Sequence, residues 1–121
     1  MYFNDQQKAA IVKLEKLIVA IDGKLEKNEG LVMAGEMQRI GITDPKPVLE
    51  AADAMDFGTA CSIVSKLSSS DRKYVCAVLG TIIAADYDID EAETKMWSLL
   101  SALCDFPEMT IKQSVEYLAN L

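Results

Sequence analysis

A segment near the N-terminus recurs 64 residues later without a gap, and this internal repeat constrains the fold more than any other feature. Residues 18–29 align with residues 82–93 through four identical and three conservative pairs. An apolar stretch precedes each copy and another follows it. Because amphipathic helices joined by a short turn pack side by side, each half of the chain is predicted to contain a helix, a short acidic turn and a second helix.

Apolar residues recur three and four positions apart along most of the chain, which is the spacing of an amphipathic helix. Helices are predicted for residues 5–21, 27–40, 45–55, 57–67, 71–85 and 91–104, with a last helix after Pro107. The widest apolar face belongs to the helix over 71–85, which is therefore expected to be the most buried. No segment shows the alternation of a half-buried strand. The predicted fold class is all-α.

The length of 121 residues fits one domain with a hydrophobic core of its own. Half of the residues are hydrophobic and 26% are charged, a composition typical of globular proteins. We therefore predict a single helical domain over residues 1–121. The repeat halves span roughly 5–56 and 69–121, and a linker helix at 57–67 connects them.

The net charge of the chain is −7, and no basic patch stands out in the sequence. Such a field repels nucleic acid and anionic bilayers. The longest apolar-rich stretch, residues 75–85, is interrupted by Gly80 and Thr81 and is shorter than the roughly 20 residues that cross a bilayer. We expect no nucleic-acid binding and no membrane insertion. Because the first residues lack the pattern of a signal peptide, the expected location is cytoplasmic.

The side chains that usually carry catalysis are missing or lack partners. The chain has no histidine, which removes the common general base and the Cys–His and Ser–His pairs. It has neither a phosphate-binding loop nor a dinucleotide-binding glycine motif. Cys61, Cys76 and Cys104 are widely spaced, which suits reduced thiols that behave as small apolar residues. The prediction is a protein without enzymatic activity, and hydrolysis by carboxylates alone is the alternative.

The two turns are rich in carboxylates. Residues 86–93 hold five acidic side chains and no basic one, whereas residues 22–29 hold three acidic side chains and two lysines. Ligand sets made of oxygen alone favour Mg²⁺, Ca²⁺ or Mn²⁺ over zinc. The candidate metal ligands are Asp22, Glu26, Glu29, Asp86, Asp88, Asp90 and Glu93. These acidic side chains are expected at the surface, while Leu25 and Ile89 anchor the turns in the core.

A structural explanation competes with ion binding. Asp90 and Glu93 have the spacing of a capping box, and acidic residues in a first helical turn suit the positive end of the helix dipole. Asp22 and Asp86 do not fit this explanation, because each lies near the carboxyl end of a predicted helix, where negative charge is unfavourable. Neither turn fits an EF-hand. When either turn is aligned with the EF-hand loop, apolar residues stand at positions that must supply ligands to calcium, and Trp97 is one of them.

Each turn follows the pattern A-x-D-x-x-[LI]-[ED]-x-x-E. This pattern, repeated once in a small acidic helical chain, resembles the TerB-like tellurite-resistance family. The matching residues are Asp22, Gly23, Leu25, Glu29, Asp86, Ile89 and Glu93. Tyr87 stands where the family pattern has glycine. The resemblance implies a compact bundle of about seven helices in two pseudo-repeated halves. It also implies an acidic surface that binds divalent cations, and a stress-associated role.

A second hypothesis needs no metal ion. In this hypothesis the acidic face, or an exposed apolar patch, docks a partner protein or a second copy of the chain. The domain then acts as an acidic helical module for protein–protein interaction. The sequence leaves the identity of the partner and the oligomeric state open.

Overall fold

Seven α-helices follow one another along the part of the chain that the structure describes. The computed structural model describes residues 2–21, 27–85 and 91–121, and for residues 27–29 the backbone alone. The helices are α1 (Asp5–Ala20), α2 (Lys27–Arg39), α3 (Pro45–Ala54), α4 (Phe57–Ser65), α5 (Ser69–Ala84), α6 (Glu91–Leu103) and α7 (Ile111–Ala119). No strand occurs within the described ranges, so the predicted all-α fold with about seven helices is confirmed.

Side-chain caps determine where several helices begin. Asn4 accepts a hydrogen bond from the backbone N–H of Gln7 at 2.8 Å, and the Gln7 side chain accepts one from the backbone N–H of Asn4 at 2.9 Å. Thr110 and Gln113 form the same reciprocal pair at the start of α7. Such caps satisfy the N–H groups of a first turn that no helical carbonyl reaches.

The start of α5 lies two residues before the predicted one. Ser68 caps this helix by accepting a hydrogen bond from the backbone N–H of Asp71 at 3.2 Å, so Ser69 and Ser70 belong to the first turn. The run of serines suggests a linker that reaches Asp71. However, a serine at the N-cap position satisfies a free N–H group and lets the following serines adopt helical dihedral angles.

The repeat in the sequence has a counterpart in the helix bounds. α1 and α5 are both 16 residues long, and they begin at residues 5 and 69. α2 and α6 are both 13 residues long, and they begin at residues 27 and 91. α3 and α7 follow in the respective halves, and α4 lies between the halves. The same offset thus relates the first two helices of each half.

α5 is the central helix of the described fold, as its wide apolar face predicts. Its buried residues are Tyr74, Val75, Cys76, Ala77, Val78, Leu79, Gly80, Ile82 and Ile83. α7 packs along α5, α1 contacts α5 as well, and α3 and α4 pack on α1. None of the described helices combines the length and the apolar character that crossing a membrane requires.

α5 and α7 meet at a glycine. A Cβ atom at Gly80 would lie 2.5 Å from the Cβ of Ser114 on α7 and 3.1 Å from the ring of Trp97 on α6. Because atoms at 2.5 Å overlap, a side chain at this position would force the helices apart. Ser114 is fully buried, and its hydroxyl lies 3.9 Å from the thiol of Cys76. The glycine that interrupts the apolar stretch of α5 therefore serves close helix packing.

Candidate functional site

The structure describes few of the seven candidate ligands. Those outside the described residues are Asp22, Glu26, Asp86, Asp88 and Asp90, and the anchors Leu25 and Ile89 lie outside them as well. Glu29 lies in α2, where its backbone alone is described, and Glu93 lies in the first turn of α6. Within the described ranges, no three Asp, Glu or Cys side chains gather closely enough to hold a metal ion.

Glu93 is buried rather than exposed. Only 3% of its surface is accessible, which corrects the expectation that the acidic residues of the turns lie at the surface. The reason is its position on α6, because Trp97 and Leu100 follow at spacings of four and three and all three side chains are buried. Glu93 also lies near the positive end of the α6 dipole, which favours a carboxylate there. The second turn is thus followed by an acidic side chain that points into the fold.

Two further carboxyl groups, which no motif in the sequence marks, are buried in the fold. Glu15 on α1 is fully buried, and Glu36 on α2 is 4% exposed. Neither carboxyl oxygen of Glu15 has a hydrogen-bond partner among the described residues. Burial, and after it the charge of Glu36, raises the pKa of Glu15 well above its usual value.

Glu36, unlike Glu15, has partners. The hydroxyl of Tyr74 on α5 donates a hydrogen bond to Oε1 of Glu36, and Arg39 adds a positive charge one turn along α2. Burial raises the pKa of Glu36 to about 7, although the hydrogen bond and the charge of Arg39 both lower it. Burial and the Glu36 carboxylate raise the pKa of Tyr74, so the phenol stays protonated. The Tyr74 ring packs on Phe3 with the ring centroids 6.3 Å apart.

The sequence does contain a signal for both buried carboxyl groups. Glu15 lies four positions after Ile11 and three before Ile18, inside the apolar stripe of α1. Glu36 lies four positions before the buried Ile40, on the inner face of α2. A charged residue within an apolar stripe is predicted to be buried and therefore in need of a partner. A search for dense acidic clusters passes over such isolated residues.

The three thiols are packed into the core. Cys61 on α4 and Cys104, which directly follows α6, lie near each other. Burial raises the pKa of Cys76 to about 11, and it also raises the pKa values of Cys61 and Cys104. Thiols that stay protonated at neutral pH are poor nucleophiles. Their packing agrees with the interpretation of these cysteines as apolar core residues.

Comparison with known proteins finds a relative of the same fold. No protein-family model and no curated protein matches the chain. The crystal structure of a protein of unknown function from Porphyromonas gingivalis is similar, with a TM-score of 0.82, 34% sequence identity and 98% of each chain covered. The chain belongs to the same family as this protein. The relationship agrees with the all-helical fold and assigns no activity to either member.

Proposed function

We propose that this chain is a non-catalytic, TerB-like protein that binds a divalent cation at the acidic turn before α6. Its role would be a stress response of the tellurite-resistance type. The ion is Ca²⁺, Mg²⁺ or Mn²⁺, because carboxylate oxygens are the available ligands. The ligands assigned to it are Asp86, Asp88, Asp90 and Glu93. The observation that carries the proposal is the burial of Glu93.

A buried carboxylate is a better cation ligand than a solvated one. Charges interact more strongly where water is excluded, and a side chain that packing already fixes loses little further freedom when an ion binds. The residues from 86 to 93 hold five acidic side chains and no basic one, so neighbouring carboxylates repel one another when all are ionised. A divalent cation would relieve this repulsion and gain a ligand held in place by α6.

The first turn is the weaker candidate. Its acidic residues Asp22, Glu26 and Glu29 are accompanied by Lys24 and Lys27, which leaves a net charge of −1 between residues 22 and 29. The corresponding net charge between residues 86 and 93 is −5. Because cation affinity at oxygen sites rises with the number of charged ligands, we expect the second turn to bind first.

Thermal unfolding with and without added ion tests the proposal. An ion at ten times its Kd stabilises the folded state by about 1.4 kcal/mol, which raises the Tm of a chain of this size by about 4–7 °C. Trp97, the single tryptophan, lies one turn after Glu93. Its ring centroid lies 6.4 Å from that of Phe106, and its Nε1 donates to the Met109 carbonyl at 3.3 Å. Its fluorescence is therefore expected to change when the ion binds.

Paired variants make the test specific. The double variant Asp86→Asn, Glu93→Gln is expected to lose the rise in Tm and the change in Trp97 fluorescence. Glu116→Gln removes one negative charge from an exposed position on α7 and is expected to keep both responses. Each variant is compared with and without ion, because Glu93→Gln also alters the stability of the ion-free protein. A wild type that shows no response at millimolar ion contradicts the proposal, and so does a double variant that responds fully.

The outer face of α6 favours a second candidate function, a protein–protein interaction module. Leu99 and Leu103 lie one turn apart on α6, and each is 46% exposed. Side chains four positions apart share one face of a helix, so the two leucines form a small apolar surface. The absence of any ion response, together with a molar mass that grows with concentration in light scattering, would favour this module over the cation site.

A further inference from the structure

α2 is joined to the rest of the described fold by a buried polar contact, which the proposed function does not use. Among the described side chains of this helix, on residues 30–39, Glu36 is the one buried, whereas three apolar side chains are only partly buried. The hydroxyl of Tyr74 on α5 donates a hydrogen bond to Oε1 of Glu36, and the two residues are 2% and 4% exposed. A hydrogen bond to a carboxyl group therefore connects α2 to the central helix.

Tyr74 is the fixed side of this contact. Its ring packs on that of Phe3 with the centroids 6.3 Å apart, and Phe3 is almost fully buried. α5, which carries Tyr74, buries nine residues and packs on α1, α2 and α7. α2, by contrast, packs extensively on one described helix, α5. Glu36 is therefore the side of the contact that can move away.

The second half of the chain shows that the fold accepts an apolar residue at the position of Glu36. The offset of 64 residues places Leu100 of α6 there, and Trp97 at the position of Met33. Leu100 and Trp97 are both buried. Separation of α6 from the core would expose this apolar surface to water. Separation of α2 would return a carboxyl group to water, which solvates it and replaces the lost hydrogen bond. α2 is thus the easier helix to release.

We propose that α2 is a lid that opens from α5 as a unit, and that the hydrogen bond between Tyr74 and Glu36 is the latch that keeps it closed. The pivot is the end of α2, where Ile40 and Ile42 are buried on either side of Gly41. Gly41 has a φ of 86°, which glycine adopts without strain. Opening carries the Glu36 carboxyl into water and makes the Tyr74 hydroxyl accessible.

Native-state amide hydrogen exchange, followed by NMR at low denaturant concentrations, tests the proposal. Cooperative units that open without global unfolding appear as groups of amides that share one opening constant. The amides of residues 31–39 are expected to form such a group. Their opening constant should exceed by at least about tenfold that of the slowest amides in α5, which report global unfolding.

Tyr74→Phe tests the latch, because it removes the hydroxyl and keeps the ring that packs on Phe3. The carboxyl group of Glu36 then stays buried without this donor in the closed state alone. The opening constant of residues 31–39 is expected to rise about 10- to 100-fold. The constant for global unfolding should rise by the same factor, since the contact is broken in both the open and the unfolded states.

Gly80→Ala is the matched control, because it acts on a contact that remains intact when α2 opens. A Cβ atom at Gly80 would overlap Ser114 on α7 and leave α2 untouched. The variant is therefore expected to raise the constant for global unfolding and to leave the opening constant of residues 31–39 unchanged. The two variants together separate release of α2 from unfolding of the whole chain.

The double variant Glu36→Leu, Tyr74→Phe replaces the latch with the kind of apolar contact that α6 makes through Leu100. Replacing both members of a buried polar pair with apolar residues of similar size is often neutral or stabilising. The opening constant of residues 31–39 is therefore expected to fall back to the wild-type value or below it. A double variant that opens more readily than Tyr74→Phe alone contradicts the role of the latch.

Three further results overturn the proposal. The first is a wild type in which residues 31–39 exchange only with α5, or with constants that change progressively along the helix as in fraying. The second is a Gly80→Ala variant that raises the opening constant of α2 as much as that of α5. The third is a Tyr74→Phe variant that raises the constant for global unfolding alone. If Tyr74→Phe does not fold, the wild type and Gly80→Ala still decide whether α2 opens as a unit.

Discussion

Gly41 and Asp105 occupy equivalent positions after α2 and α6. Both adopt a left-handed backbone, although Asp105 carries a side chain and Gly41 does not. Their φ angles are 86° and 56°, respectively. The following residues, Ile42 and Phe106, each donate a backbone hydrogen bond to a carbonyl five positions earlier, at 2.8 and 3.1 Å. This arrangement closes the end of a helix by satisfying a carbonyl that has no further helical partner. Glycine adopts the conformation without strain, whereas aspartate does so at some cost.

Substitutions at these two positions are expected to act in opposite directions. Gly41→Ala should lower the free energy of unfolding by about 1 kcal/mol, because a Cβ atom disfavours positive φ. Asp105→Gly should raise it by about 0.5 kcal/mol. The ion pair it loses, between Arg72 and Asp105, is long at 4.0 Å and its carboxylate is 77% exposed, so it contributes little. Urea unfolding measures both changes, and a destabilising Asp105→Gly would contradict the equivalence of the two helix ends.

Some properties of these single residues can be predicted from the sequence, and others cannot. Gly41 after a predicted helix indicates a left-handed turn, but Asp105 carries no comparable signal. Glu15 and Glu36 stand inside apolar stripes, so their burial can be predicted. The partner of Glu36 cannot, because Tyr74 lies 38 positions after Glu36 and is brought to it by the packing of α2 on α5. Periodicity along one helix contains no information about which helix will face it.

Among the helices, the contact between α5 and α7 gives the sharpest prediction. Gly80→Ala is expected to lower the free energy of unfolding by about 1–3 kcal/mol. The added methyl group would lie 2.5 Å from the Cβ of Ser114, and α7 must shift to accept it. Equilibrium denaturation measures the loss, and a neutral or stabilising effect would show that the two helices are not in close contact at this point.

Gly35→Ala is the matched control for this prediction. Gly35 also lies inside a helix, but a Cβ atom there would meet no other atom within 4 Å. Alanine is expected to raise the free energy of unfolding by about 0.5–1 kcal/mol at such a position, because it loses less backbone entropy on folding. If the two substitutions change the free energy of unfolding in opposite directions, the effect of helix packing at Gly80 is separated from the effect of helix propensity.

The helices themselves follow closely from the sequence, since local patterns determine them. Apolar spacing and capping residues predict every described helix to within a few residues, and the two-residue error at the start of α5 comes from a run of serines that contains several possible caps. The crossing of α5 and α7 is less predictable. In the sequence, Gly80 is only an interruption of an apolar stretch. Its role in helix packing becomes clear from the structure, where Ser114 lies opposite it.

The whole molecule consists of two related halves whose acidic turns differ in net charge. The first two helices of each half share their lengths and their offset, and α4 joins the halves. The acidic residues are distributed unevenly, because lysines accompany the first turn and not the second. The repeat and the all-helical fold could be predicted from the sequence. The acidic pattern alone suggests a solvated helix start at Glu93, and only the spacing of Glu93 from Trp97 and Leu100 indicates that it is buried.

The most direct test of the cation site is a series of heteronuclear NMR spectra recorded during titration with Ca²⁺, Mg²⁺ or Mn²⁺. We predict that the amide signals of residues 85 and 91–97, which flank the second turn, change first and saturate. Signals around residues 22–29 should change only at higher ion concentration, because that turn carries less net negative charge. No change at millimolar ion, or changes that begin at the first turn, would contradict the assignment of the site to the turn before α6.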